Sequence, residues 1–284
     1  MNDPGLLISV DELRPHLADA AWVVVDCRFN LLQPEKGRAE YRAGHIPRAV
    51  FADLDRDLAA PVTDTSGRHQ LPEAESLAAT LGRLGIGNDT RVVVYDYGSG
   101  ALAARLWWML RWLGHSRVAV LDGGFAAWRA AGGEVETELP QASVQRFRPR
   151  PDERMLIGTE ELQKALSGDH PPPLVDARDR QRFLGEIEPI DTVAGHIPGA
   201  LNFPFADSLN PDGRWRETAQ LREQWVALFA NELPADWIAM CGSGVTACHL
   251  AISAERAGLP APRLYVGSWS EWIRDPQREV ATGG

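Results

Sequence analysis

Ala43-Gly44-His45-Ile46-Pro47-Arg48-Ala49 returns as Ala194-Gly195-His196-Ile197-Pro198-Gly199-Ala200, a match too long for coincidence in a chain of 284 residues. Self-similarity of this kind marks a duplicated folding unit. Other pairs follow in the same order: residues 8–13 (ISVDEL) with 157–162 (IGTEEL), Val25-Asp26 with Val175-Asp176, and 123–128 with 267–272. Two domains of ordinary size are therefore expected, 1–139 and 153–284. Between them, residues 140–152 are polar and proline-bearing without apolar periodicity, which predicts a linker.

Within each copy, short apolar runs rich in β-branched residues alternate with longer amphipathic stretches. The runs are 22–25, 91–95 and 118–121 in the first copy, and 174–175, 237–240 and 263–266 in the second. This alternation predicts an α/β fold, each domain a mostly parallel sheet flanked by helices. Ser9-Val10-Asp11-Glu12 has the form of a capping box opening the first helix, and 99–113 carries enough Leu, Ala and Trp for a buried one.

The chemistry concentrates after the run 237–240, where Cys241-Gly242-Ser243-Gly244-Val245-Thr246-Ala247 leads into a helix-compatible stretch. A cysteine on a strand-to-helix turn faces the N–H groups of the loop and of the first helical turn, and two glycines let the backbone curl around the sulfur. Such a nest favours an anion, here the nucleophilic thiolate. Superposing the two copies through Gly98-Ser99-Gly100 and Gly242-Ser243-Gly244 places Tyr97 opposite Cys241. A tyrosine carries no transferable sulfur, so the N-terminal domain is expected to be catalytically silent and to wall a cleft.

The formal net charge of −10 argues against a nucleic-acid partner. The N-terminal residues 1–7 lack a basic region followed by an apolar core, and no apolar run approaches the roughly 20 residues that span a bilayer. Three cysteines, an odd number, suit free thiols in a reducing compartment, so a cytoplasmic protein without membrane association is expected. Cys27, after an apolar strand, reads as packing, and so does Cys248 on the helix beyond the loop. No Cys-x-x-Cys or His-x-x-x-His spacing exists, and His45 and His196 recur in both copies, which gives them a structural part and leaves no metal site. Thiolates on such turns also cleave phosphate esters, but that chemistry needs an arginine closing the loop, and the sixth residue after Cys241 is Ala247.

Taken together, the tandem Gly-His-Ile-Pro repeats, residues 121–128 (LDGGFAAW), Val175-Asp176-Ala177-Arg178 and Cys241-Gly242-Ser243-Gly244-Val245-Thr246 make the chain resemble the two-domain rhodanese-type sulfurtransferases over nearly its whole length. The resemblance implies two similar α/β domains, the first inactive, and a persulfide carried on Cys241 without metal or organic cofactor. The Cys-Gly-Ser-Gly-Val-Thr loop is similar to that of members preferring 3-mercaptopyruvate, whereas members preferring thiosulfate place basic residues after the cysteine. The same resemblance implies that Arg182 binds the donor carboxylate, that the loop amides from Gly242 through Gly244 and Val245 to Thr246 hold the persulfide, and that Asp55, His69 and Ser243 form a proton relay. The second arginine, which the family commonly supplies in a Glu-Pro-Arg stretch, is missing from Glu188-Pro189-Ile190-Asp191. A thiol or thioredoxin-like acceptor is implied as well. Two other readings stay open at this point: a thiosulfate-using enzyme, and a sulfur-relay module without an efficient small-molecule donor.

Overall fold

The computed structural model describes residues 5–283; residues 1–4, which begin the stretch read for a leader, and residue 284 lie outside the described part. It divides into two compact units, one of Met1–Ala60, Leu71–Asp152 and Pro211–Trp215, the other of Pro61–Gln70, Glu153–Asn210 and Arg216–Gly284.

In the first unit the strands are β1 (Leu7–Ile8), β2 (Trp22–Asp26), β3 (Val50–Phe51), β4 (Arg91–Tyr95) and β5 (Val118–Leu121). They form one parallel sheet in the order β1-β5-β4-β2-β3. β4 lies at the centre, and its unbroken run Val92-Val93-Val94-Tyr95 is fully buried, as expected of a parallel strand covered on both faces. The helices are α1 (Val10–Leu13), α2 (Pro34–Ala43), α3 (Ala74–Arg83), α4 (Ala103–Trp112) and α5 (Gly124–Ala130). Ser9 and Glu12 close the capping box at α1. Every residue of α4 except Arg111 is buried, so this helix is apolar nearly all round.

The second unit repeats the scheme with helices α6 (Thr159–Leu166), α7 (Arg180–Leu184), α8 (Thr218–Leu228), α9 (Thr246–Arg256) and α10 (Ser268–Trp272). Its strands are β6 (Leu174–Asp176), β7 (Leu201–Asn202), β8 (Ile238–Met240) and β9 (Arg263–Leu264), parallel in the order β7-β6-β8-β9. A parallel bridge from Leu156 to Leu264 stands where β1 pairs with β5 in the first unit. Both units are thus parallel sheets flanked by helices, the architecture expected from the alternation of runs.

The repeated motifs hold this architecture together. In the first unit the Arg28 guanidinium forks onto Asp26, with Nη2 at 2.6 Å from Oδ2, and also donates to the Gly44 carbonyl at 2.7 Å. In the second unit Arg178 does the same with Asp176 at 2.7 Å and with the Gly195 carbonyl at 2.8 Å. Each guanidinium lies over an aromatic ring, Phe125 at 4.3 Å and Trp269 at 4.7 Å. One buried fork therefore ties a strand end to the Gly-His-Ile-Pro turn and to the next helix. Removing one partner would strand a buried charge, at a cost of about 3–5 kcal/mol. Burial pushes the Asp26 carboxyl above its ordinary range despite Arg28 beside it. His45 and His196 fix the same turns through Nδ1, on the Tyr41 carbonyl at 2.8 Å and the Phe183 carbonyl at 2.7 Å, with their rings stacked on Tyr41 and Phe183.

Two departures from the expected domain division are informative. Residues 140–152, expected as a linker, are fastened along the first unit: the amides of Gln145, Arg150 and Asp152 donate to the carbonyls of Gly82, Leu113 and Trp112, each at 2.9 Å. Phe147 is buried there against His115. Side-chain polarity misled because the attachment is made mostly by backbone groups, which every sequence carries. The second departure is an exchange. Pro61–Gln70, downstream of β3, belongs to the second unit, and Pro211–Trp215, downstream of β7, belongs to the first.

Candidate active site

The turn from β8 into α9 is pinned where it leaves the strand. Trp269 N–H donates to the Cys241 carbonyl at 3.0 Å, and Ser270 N–H donates to the Gly242 carbonyl at 2.9 Å. Cys241 N–H donates to Ser268 Oγ at 3.1 Å, and that hydroxyl passes its own proton to the Tyr265 carbonyl at 2.8 Å. Gly244 sits at φ +75°, where a Cβ would run into the Val266 carbonyl, so glycine is required on both counts. Val245 is the N-cap and Thr246 the first residue of α9. The positive end of the helix dipole is therefore directed at the loop. Cys241 is a free thiol, only 2 % exposed. Cys248 is buried one turn into α9 and its thiol donates to the Gly244 carbonyl at 3.3 Å, which gives it a packing and loop-holding place.

The exchanged segment Pro61–Gln70 lies along this loop. His69 Nδ1 is 2.8 Å from Ser243 Oγ, and both residues are buried. His69 and Ser243 of the expected relay are thus brought together. Asp55 belongs to the first unit, on a turn where Asp53 Oδ1 accepts the N–H groups of Asp55 and Arg56. A Cβ placed on Gly242 would lie 3.1 Å from Arg68 Nη2 and 3.7 Å from Arg182 Nη1, so two guanidiniums flank the residue after the cysteine.

Both arginines are held by carboxylates. Arg182, on α7, forks onto Glu188 at 2.8–3.2 Å and reaches Asp191 at 3.1 Å, and Arg68 pairs with the other oxygen of Asp191. Burial pushes the Glu188 carboxyl up, but the Asp191 amide and the Arg182 guanidinium outweigh it and hold Glu188 below its ordinary range. Glu188-Pro189-Ile190-Asp191 supplies no arginine, but Arg68, which sequence reasoning missed, puts a second guanidinium beside Gly242 and Asp191. Its one signal was adjacency to His69, already singled out; the loop it serves lies over 170 residues away.

The first unit corrects the expected match of Tyr97 to Cys241. Its backbone frame assigns the position to Asp96: Phe125 N–H donates to the Asp96 carbonyl as Trp269 does to Cys241, and Ala126 N–H to the Tyr97 carbonyl as Ser270 does to Gly242. Matching the glycines went astray because this loop has one residue more between strand end and the glycine at φ +75°, Gly100 here and Gly244 in the second unit. The Asp96 carboxylate fills its own nest. Oδ1 accepts the N–H groups of Gly98 and Gly100 at 2.9 Å, and Oδ2 those of Leu102 at 2.8 Å and Ala103 at 3.3 Å. This is why α4 begins at Ala103 rather than at 99.

Comparison with known proteins agrees with this geometry. The model of the rhodanese-like domain matches residues 9–131 and again 158–275. A probable 3-mercaptopyruvate sulfurtransferase of Pseudomonas aeruginosa is 48 % identical over 98 % of both chains. A putative thiosulfate sulfurtransferase of Mycobacterium tuberculosis is 39 % identical over 92 % of this chain and 90 % of its own. Among solved structures, the 3-mercaptopyruvate sulfurtransferase from Leishmania major superposes with a TM-score of 0.84 at 31 % identity, covering 95 % of this chain and 75 % of that one. With a cysteine at the strand-to-helix turn of one repeat and an aspartate at that of the other, the chain belongs to the rhodanese family, as a two-domain sulfurtransferase.

Proposed function

We propose that the chain moves a sulfane sulfur from 3-mercaptopyruvate to a thiophilic acceptor through a persulfide on Cys241. The observation that carries the donor assignment is the pair of guanidiniums, Arg68 and Arg182, beside Gly242. They lie beside Gly242, next to the cysteine, so in this reading a keto-acid carboxylate meets them while its thiol sulfur meets Cys241. Bidentate guanidinium–carboxylate pairing fits that task. Gly242 and Ser243 themselves carry no charge, unlike the basic residues that follow the cysteine in members preferring thiosulfate.

In this reading the Cys241 thiolate attacks the donor sulfur, the carbon–sulfur bond breaks, and pyruvate leaves as an enolate that takes up a proton. Ser243, hydrogen-bonded to His69, is the nearest proton route; Asp55 enters the relay through the resemblance alone. Loop amides from Gly242 to Thr246 hold the persulfide anion at the α9 N-terminus. Cyanide, a thiol or a thioredoxin-like protein then takes the outer sulfur, and the thiolate returns. The first unit, its nest filled by Asp96, transfers no sulfur in this scheme. Three free, buried cysteines suit a cytoplasmic setting, and no helix among the described residues is long and apolar enough to cross a membrane.

The test is thiocyanate formation from cyanide with 3-mercaptopyruvate and with thiosulfate, on wild type and Cys241→Ser. A mercaptopyruvate preference lost in the serine variant is the expected result. A preference for thiosulfate would overturn the donor assignment, and no turnover with either donor would favour a protein-to-protein sulfur relay.

A further inference from the structure

The segment that delivers Arg68 and His69 is fastened to α10 and the turn after it at alternate residues. Arg274 Nε donates to the Ser66 carbonyl at 3.2 Å, Arg68 N–H donates to Ser270 Oγ at 3.1 Å, and Gln70 Nε2 donates to Glu271. Between these fastenings the side chains of Arg68 and His69 turn to Gly242 and Ser243. Ser270 holds both partners: its N–H donates to the Gly242 carbonyl, while its hydroxyl accepts from Arg68 N–H and donates to the Gly267 carbonyl at 3.2 Å. It is 4 % exposed, and Gly67 passes it with room for no more than a hydrogen, since a Cβ there would lie 3.0 Å from Ser270 Oγ.

The first unit serves as an internal control. Its equivalent of Ser270 is Ala126, which keeps the backbone bond to the loop but has no hydroxyl. The exchanged segment there is held by a different group, Trp215 N–H donating to Asp122 Oδ1 at 3.0 Å. The serine hydroxyl is therefore no requirement of the α10 fold or of the loop. It serves the segment carrying the donor-facing cation.

We infer that Ser270 is a positioning residue for the donor half of the reaction, setting the register of Arg68 and His69 against the Cys241 loop through its hydroxyl. This rests on the donor-binding part assigned to Arg68 above. Ser270→Ala is expected to fold, because the same structural position holds alanine in the other repeat.

The test uses the full-length chain as wild type, Ser270→Ala, Arg68→Ala and the double variant, with kcat/KM measured separately for the sulfur donor and for cyanide. Expected for Ser270→Ala is a fall of about 5- to 10-fold in donor kcat/KM, the order of one neutral hydrogen bond, with cyanide kcat/KM within twofold of wild type. The double variant is expected to be no worse than Arg68→Ala alone by more than twofold, since a register set for an absent guanidinium no longer matters. Equal losses in both half-reactions, an unchanged donor kcat/KM, or fully additive losses in the double variant would each overturn the inference. The donor is whichever compound wild type turns over, so a thiosulfate preference would remove the mercaptopyruvate reading and leave the register test intact.

Discussion

Replacing Arg68 by alanine isolates the cation that the motif around Glu188 fails to provide. Its guanidinium is 23 % exposed, faces Gly242 and shares Asp191 with Arg182. A charge-assisted hydrogen bond contributes about 1.5–3 kcal/mol. The lower half of that range applies, because a donor carboxylate must compete with Asp191 for the guanidinium and because the site is partly solvated. About 1.5–2 kcal/mol corresponds to a roughly 10- to 30-fold fall in donor kcat/KM. Initial rates of pyruvate release at varied 3-mercaptopyruvate, with cyanide saturating, measure it; the cyanide dependence at saturating donor gives the control. Cyanide carries no carboxylate, so its kcat/KM should hold within about twofold. Asp191→Asn supplies the opposite perturbation, freeing both guanidiniums from a competing carboxylate, and should lower KM for the donor. A donor kcat/KM unchanged in Arg68→Ala, or a fall shared equally by cyanide, would refute the placement of a carboxylate subsite beside Gly242.

Two further outcomes follow from charges the fold has buried. Glu188 is held below its ordinary range, so the stability it contributes is full above the unfolded value of about 4.3 and is lost as pH falls through the lower folded value; Glu188→Gln should flatten the dependence of Tm on pH between about 5 and 3, seen by thermal melts across that window. Asp96→Ala removes the acceptor for four backbone N–H groups in the first unit, and should lower stability by about 2–5 kcal/mol, with added sulfate restoring part of the Tm loss by occupying the vacated nest and having no comparable effect on wild type.

The central strands were legible because a parallel strand buried on both faces must be an apolar run, and β2, β4, β5, β6 and β8 are such runs. β1, β3 and β7 were not, since two residues at a sheet margin hold no period to detect. The strand-to-helix turn that carries Cys241 was legible from glycine spacing, and the pairing of His69 with Ser243 only through resemblance, because their meeting spans 174 residues of chain. Arg68 and Ser270 lay beyond reach for the same reason: each acts through a contact about 200 residues away in sequence, Arg68 N–H to Ser270 Oγ. Asp96 was misread as Tyr97 because glycines were aligned as though the two loops had equal length. A one-residue insertion is invisible until the strand register is known.

The two repeats separate what the loop does from what fills it. Both turns start from a central parallel strand, reach a glycine at φ +75° and enter a helix that points its N–H groups inward, so both demand an anion. In the first unit the demand is met by a carboxylate that belongs to the chain, fixed by four hydrogen bonds and unable to leave. In the second, the proposed scheme puts there the Cys241 sulfur, whose charge would appear on deprotonation and move to the outer atom once a persulfide forms. The same logic applies to the exchanged segments. Pro211–Trp215 brings the first unit a tryptophan amide and a buried ring; Pro61–Gln70 brings the second an arginine and a histidine. The repeats therefore carry two related turns and two exchanged straps, and in the proposed scheme what makes one of them reactive lies in a handful of side chains: cysteine for aspartate at the turn, Arg68 and His69 in the strap, and a serine for Ala126 to hold that strap in register.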